Sequence, residues 1–139
     1  MTGMYQHSID SKGRLFIPAR LREELGDHFY ITLSMQNHCL WAFSLENWSK
    51  FNERISAQPI SEQIRMRPLF SNAQTGDLDG QGRVLLNKSL REKRGLDKYV
   101  TVVGAGERVE IWDTEVFTAI DEQEAAPENI AAVFKELGI

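Results

Sequence analysis

Two arginines stand where a guanidinium could do chemistry. Arg14 closes the stretch DSKGR (Asp10 to Arg14) and Arg83 closes DGQGR (Asp79 to Arg83), so each follows a glycine directly and an aspartate by four positions. The aspartate and the glycine have a structural reason to be there. Asp is favoured at the first position of a type I turn, where its carboxylate accepts backbone N–H groups. The glycine supplies the left-handed conformation of a three-residue loop with a bulge. Turn geometry asks for no arginine at the next position. An arginine held there could meet guanine O6 and N7 through two parallel hydrogen bonds in a major groove. The competing reading is an ion pair inside each turn, but exposed pairs of that kind stabilise little, a weak reason to carry two.

Paired aspartates also raise acid–base catalysis of the aspartic-protease kind, in which two carboxylates share one proton. That chemistry needs each Asp followed by a small hydroxyl residue and then glycine. Lys12 fills the glycine position in the first copy and an arginine follows each turn. No catalytic residue is expected, and the chain does not read as an enzyme. His38 beside Cys39 has no second pair at ligand spacing, and His7 and His28 are isolated, so no metal or other cofactor is expected either.

The two motifs belong to a longer repeat. An offset of 69 positions holds without a gap from Ile9 to Trp48. It pairs Gly13 with Gly82, Leu21-Arg22-Glu23 with Leu90-Arg91-Glu92, Gly26 with Gly95, Tyr30-Ile31-Thr32 with Tyr99-Val100-Thr101, and Trp48 with Phe117. A tandem duplication explains that register. The expected division is 5–50 for the first repeat, 51–73 for a helical insert, 74–117 for the second repeat and 118–139 for a helical tail.

A length of 139 residues with 42% apolar and 26% charged side chains fits one domain, or two half-domains that share a core. No segment approaches the roughly 20 consecutive apolar residues of a membrane span. The start, MTGMYQHSID, lacks a basic region followed by an apolar run, so no signal peptide is expected. Cys39 is the only cysteine, which fits a reducing compartment. The net charge of −4 is unevenly spread. Lys12 to Arg22 carries four bases and no acid, and Arg83 to Lys98 carries six bases against Glu92 and Asp97. The acids Asp113, Glu115, Asp121, Glu122, Glu124, Glu128 and Glu136 gather behind the second repeat. Screening limits the reach of distant charges to about 8–10 Å, so a basic face can bind phosphate on an acidic protein.

The elements that must position the arginines follow from periodicity. Tyr5 to Ile9 and Arg14 to Ile17 read as a hairpin, Ala19 to Leu25 as a short helix after Pro18, and Phe29 to Met35 with Cys39 to Phe43 as a second hairpin. The second copy matches, with Asn87 as a candidate cap before Lys88 to Arg94. Each repeat is therefore β-hairpin, short helix, β-hairpin, and two repeats can close on each other into a small barrel with a pseudo-twofold axis. Ser44 caps an apolar helical stripe of Leu45, Trp48, Phe51 and Ile55; Ser61 to Phe70 continues the insert, bent or broken at Pro68. Ile130, Val133, Phe134 and Leu137 mark a last amphipathic helix, suited to core or subunit packing.

The run IDSKGRLFIPARLREEL, then a bridging helix, SNA and LDGQGRVLL, resembles the MraZ family of bacterial transcriptional regulators, whose repeats fall in the wider class of AbrB-like, SpoVT-like DNA-binding domains. The likeness extends from about Tyr5 to Phe117. It implies an α+β fold, a pseudo-twofold swapped-hairpin (double-psi-like) β-barrel built from two tandem AbrB-like repeats with flanking helices. It further implies a sequence-specific DNA-binding regulator, expected to repress, acting on a division and cell-wall gene cluster that includes its own promoter. Its partners would be double-stranded DNA carrying short tandem repeats and further copies of itself in a ring-like homo-oligomer, eight subunits being one candidate size. A cytoplasmic, nucleoid-associated location follows, with neither membrane nor small-molecule ligand. The family's DNA-binding positions fall on Asp10, Arg14, Asp79 and Arg83. Beside them, Lys12, Arg20, Arg22, Lys88, Arg91 and Lys93 are placed to neutralise phosphate, which sets register and affinity. The alternative is a protein-interaction scaffold or antitoxin-like module whose basic face binds an acidic partner without specific DNA binding.

Overall fold

The computed structural model describes residues 1–139 and shows one element order used twice. The first round is β1 (Met4–Ser8), β2 (Arg14–Phe16), α1 (Ala19–Leu25), β3 (His28–Leu33), β4 (Cys39–Ser44) and α2 (Leu45–Ser56). Two short helices follow, α3 (Ile60–Arg65) and α4 (Arg67–Ser71). The second round is β5 (Gln74–Asp77), β6 (Arg83–Leu85), α5 (Lys88–Lys93), β7 (Tyr99–Ala105), β8 (Arg108–Asp113) and α6 (Thr114–Glu124), after which α7 (Pro127–Leu137) ends the chain. Local chemistry sets several of these limits. Ser44 accepts the N–H of Asn47 to open α2, Asp113 accepts that of Val116 to open α6, and Gly26, at φ 84°, ends α1. The insert does break, but at Met66 rather than at Pro68, because Pro68 lies in the first turn of α4, where its missing N–H leaves no bond unmade. Asn87 precedes α5 but makes no side-chain cap; its own N–H donates to Gln74 Oε1 at 2.7 Å.

Strand pairing departs from the expected hairpins. Every ladder is antiparallel, and only the second hairpin of each repeat pairs with itself, β3 with β4 and β7 with β8. The first strand of each repeat instead joins the third strand of the other: β1 pairs with β7, and β5 with β3. β2 pairs with β6, and β4 with β8. The turn at Asp10 does close locally, with Asp10 N–H on Arg14 O and Gly13 N–H on Asp10 O, both at 3.0 Å. On either side of it, however, the backbone groups are taken by the other repeat: Ile9 N–H by Lys98 O at 2.7 Å and Ile17 N–H by Gly82 O at 2.9 Å. Turn residues report the reversal of the chain but not which ladder the emerging strands will join.

The expected closed barrel is also corrected. One six-stranded sheet runs β1-β7-β8-β4-β3-β5, with β1 and β5 as its edges, and β2-β6 forms a separate two-stranded ribbon. Strands of three residues that pair only with each other cannot carry the ladder from one edge to the other. The open side is covered by packing instead. Leu15 and Val84 from the ribbon, Leu21 and Leu25 from α1, and Leu90 from α5 meet Phe29, Ile31, Leu40, Val100, Val102, Val109 and Ile111 from the sheet in one buried core. On the far face of the sheet, Trp48 and Phe51 of α2 and Phe70 of α4 gather with Tyr30 and Phe43 in an aromatic cluster. Cys39 lies buried, which pushes its thiol up to about 12. No helix is long and apolar enough to cross a membrane.

Leu15 has no exposed surface and anchors the centre of the ribbon to the core. Leu15→Ala should cost about 2–5 kcal/mol in urea denaturation; a loss within about 0.5 kcal/mol, as at an ordinary surface site, would mean that the ribbon is not packed as described.

Candidate nucleic-acid interface

Each turn is organised by its aspartate. Asp10 Oδ1 accepts the backbone N–H groups of Lys12 and Arg14, both at 2.9 Å, while Oδ2 accepts Nε–H of Arg14 at 2.7 Å. Asp79 repeats the arrangement with the N–H groups of Gln81 and Arg83 and with Nε–H of Arg83, all at 2.9 Å. Donors aimed at a carboxylate favour its charged form. The backbone N–H of Arg14 contributes most to holding Asp10 down at about 2, and that of Arg83 does most to lower Asp79. The intra-turn ion pairs weighed from the sequence are therefore present, but they use one edge of each guanidinium. The Nη groups of Arg14 and Arg83 make no hydrogen bond within the chain. Their side chains are 33% and 28% exposed, so neither is sealed in the interior.

Ribbon geometry then decides which way they face. Arg14 lies opposite Leu85, Leu15 opposite Val84, and Phe16 opposite Arg83. Side chains alternate across a strand, so the buried Leu15 and Val84 turn inward while Arg14, Phe16, Arg83 and Leu85 share the outer face. Arg14 and Arg83 are diagonal neighbours there, roughly 7–8 Å apart at the backbone. A two-stranded ribbon of this width fits the major groove of B-DNA, about 12 Å across, so this surface needs no recognition helix.

The remaining basic residues divide by what they touch. Arg22 reaches from α1 over the ring of Phe16, 5.2 Å from its centroid, and packs against the turn of the other repeat. A Cβ on Gly82 would stand 2.8 Å from Arg22 Cζ. Arg91 does the same for the first turn: a Cβ on Gly13 would lie 3.0 Å from Arg91 Nη2, and Arg91 Nε–H donates to Leu86 O at 3.3 Å. Gly13 and Gly82, at φ 86° and 76°, are thus fixed both by a left-handed backbone and by a guanidinium pressed against them. Lys93 donates to Asn72 Oδ1. Lys12 and Arg20 are exposed, and Lys88 is exposed with a loose pair to Glu92 at 3.7 Å. No group of three or more His, Cys, Asp or Glu side chains is arranged to hold a metal ion.

Sequence reasoning overlooked the bracing by Arg22 and Arg91 and the placing of Phe16 and Leu85 beside the arginines. The second was recoverable from the alternation in Arg14-Leu15-Phe16 and Arg83-Val84-Leu85. The first required knowing that the short helix of each repeat backs the turn of the other.

Because the carboxylates titrate below their ordinary range, the clasp at Asp10 is complete above the ordinary value of 3.8 and is lost as pH falls through about 2. A carboxyl NMR titration should give Asp10 a midpoint near 2; a midpoint at the ordinary value would reject the three-donor clasp.

The chain matches the family model described as "MraZ protein, putative antitoxin-like" over residues 1–66 and 69–136. It is similar to proteins named transcriptional regulator MraZ. The one from Carboxydothermus hydrogenoformans is 45% identical over 133 residues, covering 93% of this chain and 92% of that one. The one from Heliobacterium modesticaldum is 44% identical over 128 residues, with 90% and 88% covered, and that from Acetivibrio thermocellus is 39% identical over 141 residues, with 99% and 98% covered.

Proposed function

The chain belongs to the MraZ family, transcriptional regulators rather than enzymes, and from that premise we propose that it binds duplex DNA sequence-specifically through the outer face of the β2–β6 ribbon. One observation carries this reading: Arg14 and Arg83 sit side by side on an exposed ribbon with Nε spent on an aspartate and both Nη groups free. A guanidinium so held can direct its Nη edge at guanine O6 and N7, a contact worth about 1–3 kcal/mol of discrimination. Lys12, Arg20 and Lys88, exposed around the ribbon, take the phosphate contacts that fix register. Arg22, Arg91 and Lys93 are engaged within the chain and act as supports.

One ribbon spans few base pairs, so useful affinity comes from several copies engaging repeated sites at once. The exposed apolar residues Ile130, Val133, Phe134 and Leu137 on α7, and Ile60 and Ile64 on α3, supply surfaces for a closed homo-oligomer. The family resemblance extends the reading to repression of a division and cell-wall gene cluster from short tandem repeats at its own promoter, in the cytoplasm at the nucleoid.

Arg14→Ala with Arg83→Ala should abolish sequence-specific duplex binding and leave the circular dichroism spectrum unchanged. Full DNA affinity in the folded double variant would sink the assignment, and a basic face that bound an acidic protein but resisted competition by selected duplex would point to the scaffold alternative. Light scattering at micromolar concentration should return a multiple of the 15.9 kDa chain mass; a monomer would contradict the assembly.

A further inference from the structure

Leu85 is the exception on an otherwise accounted-for ribbon. It is 59% exposed in the middle of a cationic surface. Its counterpart in the first repeat, Phe16, is half-buried, with the His7 ring and the Arg22 guanidinium each 5.2 Å from its own ring. Nothing in the chain covers Leu85 in the same way, although its backbone oxygen is tied to Gln74 Nε2 at 2.9 Å, which fixes the strand beneath it. It faces Arg14 in register and lines a groove along the flank of the ribbon with Lys12, Lys88 and Arg91, where the one carboxylate, Asp77, is held by His28 Nδ1 at 2.7 Å. An apolar side chain framed by cations suits a polyanion that also offers an apolar group. In a major groove the group of that kind is the C5-methyl of thymine.

We propose that Leu85 is a specificity residue that covers a thymine methyl next to the guanine engaged by Arg14. The inference rests on reading the ribbon as a DNA interface and adds what one half of it selects. Directly opposed residues on a ribbon stand about 4.5–5.5 Å apart, between one and two base steps of ~3.4 Å. A guanine and a neighbouring thymine are therefore within reach of the Arg14–Leu85 pair together. Because Phe16 is already packed, the Arg83 half lacks the same bare apolar group, and the two halves read different bases.

The test selects random-sequence duplexes with the wild-type chain and with Leu85→Ala at one salt concentration. Each thymine of the selected site is then replaced by deoxyuridine, which removes the C5-methyl and nothing else. Wild-type binding should fall about fourfold per site at one thymine position, the effect of one methyl. Leu85→Ala should bind the thymine and uracil duplexes equally and show no thymine preference there. Two results overturn the inference while sparing the DNA reading: a wild-type chain indifferent to uracil at every position, or a variant that keeps the wild-type thymine-to-uracil ratio, which together with an altered oligomer mass would make Leu85 a subunit contact. A wild-type chain that selects no sequence at all would overturn both.

Discussion

A single carboxylate, given three N–H donors from its own loop, holds Arg14 in the first turn and Arg83 in the second. The geometry at Asp10 and at Asp79 is the same to within a few tenths of an ångström in every hydrogen bond. Its value does not lie in ion-pair energy, since the groups are open to water and screened. It lies in direction. Nε is committed before any ligand arrives, so the guanidinium plane is already set and less side-chain freedom remains to be lost on binding. The loop is set with it, because Oδ1 fastens the backbone N–H of the arginine itself.

The second constraint joins the halves. Neither repeat completes its own ladder, because each first strand lies on the other repeat's third strand and the ribbon needs one strand from each. Side chains follow the same rule. Arg22 from the first repeat is pressed onto Gly82 in the second, and Arg91 from the second onto Gly13 in the first. A lone repeat would lack the partner strand that gives its arginine a face and the guanidinium that backs its turn. Buried Arg22 Nε, which has no hydrogen-bond partner, shows how closely this bracing is packed.

Much of this was legible in the residues, and the parts that were not share a cause. The 69-residue offset, the turns, the short helices and the cap at Ser44 are local signals, set by glycine, aspartate and hydrophobic period within a few positions. The Asp–Arg clasp is local too, four residues from end to end. Partner choice is not. Nothing within DSKGR distinguishes a hairpin from two strands that part company, because both use the same turn, and so the first hairpin and the closed barrel were misjudged. The bracing by Arg22 and Arg91 was not legible for a similar reason. A basic residue on a short helix reveals its contact only once the opposite turn is known to lie beneath it.

The near-symmetry of the ribbon has a consequence for polarity. The antiparallel pairing of Arg14-Leu15-Phe16 with Arg83-Val84-Leu85 puts a local dyad through the Leu15–Val84 pair. A perfectly two-fold surface would look the same to a double helix approached from either end, and so could not tell upstream from downstream. Directionality would enter where the copies have diverged, as with Ser11-Lys12 against Gly80-Gln81 in the loops, Ala19-Arg20 against Lys88-Ser89 at the helix starts, and a half-buried Phe16 against a bare Leu85 on the face. Duplication made the frame, and the handful of mismatches between its halves gives it a head and a tail.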